Sequence, residues 1–197
     1  MRLAPPNVVL LAGPNGAGKS TAAPDLLRGE LGVSEFVNAD TIAQGLSAYS
    51  PHTVSIDAGR LMLRRLRELA ARRVDFAFET TLASRSFAPW IRGLVSSGYE
   101  FRIVFLWLPS PELCVARVLE RTRAGGHWVP ELTVRRRYHT GLRNFFTLYR
   151  PLASSWRFYD NTIEPRLVVE GAGPVVTIHD GPLWRTLEAR YSHGRGG

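Results

Sequence analysis

Apolar residues along this chain come in two spacings that alternate from one end to the other: short unbroken runs, and longer stretches where they return every three or four positions. Val8-Val9-Leu10-Leu11 is the first unbroken run, rich in the β-branched residues expected of a buried parallel strand. A helix follows over residues 19–28, and Glu35-Phe36-Val37-Asn38-Ala39-Asp40 reads as a second strand with a polar end. The next helix, over 53–73, places Ile56, Leu61, Leu63, Leu66 and Leu69 on its apolar side. Asp75-Phe76-Ala77-Phe78-Glu79-Thr80 is a third strand, 86–97 a helix whose first turn accommodates Pro89, and 101–108 a strongly apolar strand closed by Pro109-Ser110-Pro111.

Beyond these, 112–123 reads as a helix that breaks at Gly125-Gly126, and a further helix starts beside Pro130 and runs toward Tyr149. Trp156-Arg157-Phe158-Tyr159-Asp160-Asn161 is a strand, 167–170 and 175–178 form a hairpin around Gly171-Ala172-Gly173-Pro174, and 182–191 is a short helix before a frayed tail at 192–197. Strand alternating with helix predicts a parallel sheet flanked by helices. The expectation is one α/β domain over 1–197, without repeats, a coiled coil or a second unit.

With 197 residues and 45% hydrophobic content the chain can bury one full core. It contains no run of the ~18 apolar residues a membrane span needs, and a cytoplasmic, membrane-free protein is expected. The single cysteine, Cys114, sits in the apolar pattern of Leu113, Val115, Val118 and Leu119, which makes it a core filler in a reducing compartment. A net charge of +8 suits nucleic acid, and equally a phosphate-rich small molecule.

Composition becomes informative at Lys19. It is the only lysine among 25 basic residues, and it stands in Gly13-Pro14-Asn15-Gly16-Ala17-Gly18-Lys19-Ser20-Thr21, directly after the first strand. This is the GxxxxGK[ST] phosphate loop: glycines let backbone N–H groups close on phosphate oxygens, a compact ammonium reaches the β- and γ-phosphates, and the Ser20 hydroxyl takes Mg²⁺. Gly13 to Thr21 are therefore the expected binding residues for ATP or GTP.

Ligands of open parallel sheets gather at the carboxyl ends of the strands. The second strand delivers Asn38 and Asp40 there, and the third delivers Glu79, Thr80 and Thr81. By position Asp40 is either a general base for an attacking hydroxyl or the N-cap of a following helix. Glu79 reads as a holder of Mg²⁺-bound water or of substrate hydroxyls. Arg117, Arg121 and Arg123 before the glycine pair, and Arg135, Arg136 and Arg137 after it, read as a mobile arginine-rich helical lid over about 117–150, of which two or three side chains reach phosphate. His127 has no partner at metal-ligand spacing.

The ordered blocks Gly13 to Thr21, Asn38-Ala39-Asp40, Phe78-Glu79-Thr80-Thr81-Leu82, and Arg121-Thr122-Arg123-Ala124-Gly125-Gly126-His127-Trp128-Val129-Pro130-Glu131 with Arg135-Arg136-Arg137-Tyr138 closely resemble the zeta-toxin family of P-loop kinases. The compact standalone branch often called predicted ABC-type ATPases is the nearer likeness. The resemblance implies a nucleoside-kinase-like P-loop NTPase core, ATP or GTP with Mg²⁺, and phosphorylation of a UDP-N-acetylamino sugar. It implies Lys19 and Ser20 on phosphate and metal, Asp40 as catalytic base, Glu79 and Thr81 on the acceptor, and Arg121 with one of the triple arginines, Arg136 by the alignment, around the γ-phosphate. The arginine that characterised toxins carry shortly after the acidic strand end is displaced: Ala83 is four residues after Glu79, and Arg85, six after it, is the arginine available to the acceptor.

No LSGGQ-like signature accompanies the loop, which argues against a transporter ATPase. The expected protein is a small-molecule kinase acting on a hydroxyl, with a small antitoxin or other inhibitory protein as the partner the resemblance implies. The alternative is a nucleotide-binding regulatory module or ATPase whose basic lid contacts nucleic acid. Acids at the strand ends favour the kinase, because a module that only binds phosphate has little need of a base.

Overall fold

The first apolar run becomes β1 (Asn7–Ala12), and Val8 to Ala12 are wholly buried because β1 is flanked on both sides by parallel strands. The computed structural model describes residues 4–47, 51–126 and 128–192, so His127 and residues 193–197 of the expected tail lie outside the described residues. Beside β1 lie β2 (Phe36–Val37), β3 (Phe76–Thr80), β4 (Glu100–Trp107), β5 (Ser155–Asp160), β6 (Arg166–Ala172) and β7 (Val175–Ile178), in the sheet order β2-β3-β1-β4-β5-β6-β7. The first five strands across are parallel, and β6 and β7 add an antiparallel edge. This mostly parallel mixed sheet, flanked by helices, is the P-loop kinase fold.

Register places the polar strand ends together. Leu11 pairs with Glu79 and Ala12 with Thr80, while Trp107 of β4 pairs with Asp160 of β5. The chain runs from β3 across β1 to β4, so strand order reverses beside β1, where ligands of such sheets bind. Behind that edge an aromatic core holds the sheet and its helices together: Phe105 stacks on Phe158 at 5.0 Å and meets Phe145 at 4.8 Å.

The helices are α1 (Lys19–Ala23), α2 (Ala39–Leu46), α3 (Ser55–Ala71), α4 (Phe87–Ser96), α5 (Pro111–Arg123), α6 (Glu131–Asn144) and α7 (Gly181–Tyr191). Pro24 lacks the N–H that would continue the α ladder, and wider π turns carry the first helix on to Glu30. The second strand is shorter than its polar-ended run suggests, because Asn38 leaves the ladder to cap α2. No helix among the described residues is long and apolar enough to cross a membrane.

The arginine-rich pair is not free at both ends. Val134, Tyr138, Gly141 and Leu142 make α6 a core helix. The Tyr138 hydroxyl donates to Leu108 O at 2.8 Å, and Asn144 Nδ2 donates to Leu82 O at 2.7 Å. Between α5 and α6, Gly125 and Trp128 are exposed, while Val129 is buried in the core.

Candidate active site

β1 turns into the phosphate loop at Gly13, whose φ of 143° and whose approach to Leu106 O, 2.2 Å from where a Cβ would stand, admit glycine alone. The loop is braced from behind by the end of β5. Asn161, buried, donates from Nδ2 to Ala17 O at 2.7 Å. Arg117 of α5 donates to Asn161 O at 3.1 Å, to Thr162 O at 2.6 Å and, weakly, to Gly16 O at 3.5 Å. In the sequence Asn161 reads as the last residue of a strand, and its polar amide at that strand end is the one sign of a bracing role.

In front of the loop is a cavity of about 520 Å³, a size suited to a small-molecule site. Lys19 is 5% exposed, and its Nζ donates to Gly13 O and Pro14 O, both at 2.9 Å, with Glu79 Oε1 at 3.7 Å. Burial holds its pKa below the ordinary lysine range, against the opposing pull of the Glu79 and Asp40 carboxylates. With its donors already on backbone carbonyls, the ammonium is held at the mouth of the loop where phosphate oxygens can take over those bonds.

Ser20 Oγ donates to Glu79 Oε2 at 2.9 Å, and Asn38 Nδ2 donates to the same carboxylate oxygen at 2.8 Å. A hydroxyl and a carboxylate side by side, next to a phosphate loop, form the hard oxygen set that Mg²⁺ takes while keeping waters and substrate phosphates as its other ligands. The residues thus fit the ion: Ser20 and Glu79 would hold it.

Asp40 lines the same cavity from the first turn of α2. Its two sequence readings separate here: the cap of α2 is Asn38, whose Oδ1 accepts from Asp40 N at 2.7 Å and from Thr41 N at 3.4 Å. That leaves the Asp40 carboxylate for the cavity, within electrostatic reach of Lys19 and Arg137. Thr80 and Thr81 line the cavity beside Glu79, with Met62 and Phe87 as its apolar wall.

Of the six arginines singled out, Arg117, Arg121 and Arg137 line the cavity. Arg135 faces away, paired with Glu131 at 2.8 Å and with Glu112, while Arg123 and Arg136 are exposed and outside the lining. Arg137 is the member of the triple that turns inward, with Nη1 3.5 Å from Asn15 Oδ1. Arg85 is exposed and absent from the lining. The structure therefore gathers Lys19, Ser20, Asp40, Glu79, Thr81 and Arg121 from the sequence-derived set, and leaves Arg85 and Arg136 outside the cavity.

Comparison with known proteins bears on the family and the fold. Residues 8–140 match the family model of an AAA domain. An uncharacterised protein of Haemophilus influenzae is 27% identical over 132 residues, covering 66% of this chain and 91% of that protein. A chain of the AvrRxo1-ORF1:-ORF2 crystal structure with ATP superposes with a TM-score of 0.73 at 16% identity, over 98% of this chain and 67% of that one. In the same complex with sulphate ions the TM-score is 0.74 at 15% identity, and this chain spans only 65% of the length of its counterpart. A chain of the PezAT chromosomal toxin–antitoxin system of Streptococcus pneumoniae superposes with a TM-score of 0.65 at 16% identity, over 100% of this chain and 82% of that one. At such identities the superpositions share a fold.

Proposed function

This chain belongs to the AAA-domain family, and on that premise we propose that it is an ATP- or GTP-dependent phosphotransferase that moves the γ-phosphoryl group onto a hydroxyl of a small molecule. The observation that carries the reading is one cavity in which a phosphate-loop lysine, a paired hydroxyl and carboxylate, and the separate carboxylate of Asp40 all meet. Nucleotide binding alone accounts for the first two and leaves Asp40 without a purpose.

In the proposed reaction the Asp40 carboxylate takes the acceptor proton as the hydroxyl oxygen bonds to the γ-phosphorus. The bond from that phosphorus to the β–γ bridging oxygen breaks, and the nucleoside diphosphate leaves. Lys19, Arg121 and Arg137 would carry the charge that accumulates on the equatorial oxygens. Mg²⁺, held by Ser20 and Glu79, would neutralise the β- and γ-oxygens when bound. On the acceptor side Thr80, Thr81, Met62 and Phe87 offer hydroxyls and an apolar wall, a lining suited to a sugar ring. The acceptor we propose to try first is a UDP-N-acetylamino sugar, as in a zeta-toxin-like kinase. A small inhibitory partner belongs to the same proposal, supported by the likeness to a chain of a toxin–antitoxin system.

The test is transfer of labelled γ-phosphate from ATP and from GTP, with Mg²⁺, to a panel of nucleotide sugars and to a metabolite extract, read by mass spectrometry. Asp40→Asn should bind nucleotide as the parent does and lose at least about 10²-fold in turnover. Undiminished transfer in that variant would remove Asp40 as the base, and absence of any phosphorylated product would remove the kinase reading.

A further inference from the structure

Asn38 is 8% exposed, and its amide makes four hydrogen bonds, as many as an amide side chain can make. Oδ1 accepts from the backbone of Asp40 and Thr41. Nδ2 donates to Glu79 Oε2 at 2.8 Å and to Ser20 Oγ at 3.3 Å. The orientation of the amide is fixed by chemistry: two backbone N–H groups can face only the oxygen, and a carboxylate can face only the nitrogen.

The two halves of this side chain have different reasons to exist. Capping a helix needs an acceptor, which serine, threonine or aspartate supplies as well as asparagine. The donor half has no part in the cap. It reaches across to Ser20 and Glu79, the pair that would hold Mg²⁺, while the acceptor half holds the turn that carries Asp40. Ser20 comes from α1, Glu79 from the end of β3 and Asp40 from α2, so a single buried amide ties three elements of the cavity.

Resting on the phosphotransferase reading, we propose that Asn38 is a positioning residue that couples the metal side of the cavity to its acceptor side. Its amide orients the Glu79 carboxylate and the Ser20 hydroxyl toward the ion, and through the cap it sets the distance of the Asp40 carboxylate from that same point. A lone helix cap would need none of the first function.

Asn38→Ser separates the halves, because serine caps α2 but is too short to replace the amide at Glu79. Binding of a fluorescent ATP analogue is titrated with and without Mg²⁺, alongside thermal melting. The expected result is melting close to that of the parent, unchanged affinity for the metal-free nucleotide, and loss of about tenfold in the affinity gained on adding Mg²⁺. In the Glu79→Gln background the same substitution should cost less of the Mg²⁺ gain than in the parent, because the 2.8 Å bond to Glu79 is the shorter of the two through which Asn38 acts, the other being the 3.3 Å bond to Ser20. A full Mg²⁺ gain in Asn38→Ser, or equal losses with and without Glu79, would reduce Asn38 to a cap and overturn the proposal. If Asn38→Ser does not fold, Asn38→Thr, which also caps and adds no charge beside Glu79, carries the same titration, and a gain equal to the parent's overturns the proposal there. The binding readout needs no turnover, so a protein that fails to phosphorylate any acceptor still decides the role of Asn38.

Discussion

A Cβ on Gly141 would stand 2.3 Å from the carbonyl oxygen of Thr81. Helix α6 is therefore pressed against the loop that leaves β3, the loop whose first residues line the cavity. Asn144 donates to Leu82 O and Tyr149 donates to Ser84 O at 2.6 Å, so one helical segment binds three successive points of that loop. Leu82 is held with φ at 56°, a left-handed conformation that leucine adopts only under constraint from its surroundings. The shape of this side of the cavity is thus set by α6 and the turn that follows it.

Gly141→Ala tests this dependence. Alanine suits a helix interior better than glycine by up to about 1 kcal/mol. The overlap is with backbone, however, and overpacking of this kind costs about 1–3 kcal/mol. Net destabilisation by urea unfolding is expected, together with a higher KM for the acceptor and an unchanged affinity for nucleotide. A nucleotide affinity that falls as much as the acceptor's would place the effect elsewhere.

The back of the phosphate loop gives a complementary result. Asn161→Ala leaves the buried Ala17 carbonyl without its 2.7 Å donor, at a cost of about 1–3 kcal/mol. It also frees the glycine-rich turn on the side away from the cavity. The expected outcome is weaker binding of ATP with and without Mg²⁺ alike, measured by calorimetry, which sets this variant apart from a change on the metal side such as Asn38→Ser.

Much of this arrangement is legible in the sequence, and the failures have physical causes. The phosphate loop, the strand ends and the order of elements follow from local patterns that need no partner to be read. The sequence offers Asp40 as base or as N-cap, and only the backbone turn shows that the cap of α2 is Asn38, two positions earlier. Asn161 was invisible as a brace because its partner, Ala17, is 144 positions away. Arg85 stays outside the cavity because the loop after β3 turns at Leu82, under the pull of Asn144, before reaching it. The antiparallel edge of the sheet was readable as a hairpin, but not its place beside β5.

Cys114 makes a prediction about pH. Burial pushes its thiol up to about 12, although Lys19 and Arg117 pull it the other way. Between about 9, its ordinary value, and about 12 the folded thiol keeps a proton that the unfolded one has lost. The unfolded state then binds fewer protons, so this contribution to stability is complete below about pH 9 and declines as pH rises. Cys114→Ala should show a shallower alkaline fall in stability than the parent. In the native parent the thiol should resist alkylation at pH 8 and react only after unfolding; rapid native alkylation would contradict its burial.

The sharpest prediction concerns the triple arginine. On a helix of about 100° per residue, Arg137 lies about 60° from the line through Val134, and Arg136 about 160° from it. Val134, Tyr138 and Gly141 are the buried side of α6, so Arg137 is carried to the edge of that side and Arg136 to the opposite one. Arg135 is spent on Glu112 and Glu131. Burial draws the Arg137 pKa down while the Asp40 carboxylate draws it up, which fits a guanidinium half enclosed above the cavity rather than one dissolved in water. A cation so placed gains most when negative charge accumulates on a transferring phosphoryl group, because little solvent is left to screen it. Arg137→Ala should therefore lower turnover by about 10²-fold or more, with a smaller change in nucleotide affinity. Arg136→Ala should leave both within about threefold, as expected of an exposed charge. Steady-state kinetics on the two variants decide the register: a large loss at Arg136 with none at Arg137 would mean that α6 turns about its axis when substrate binds.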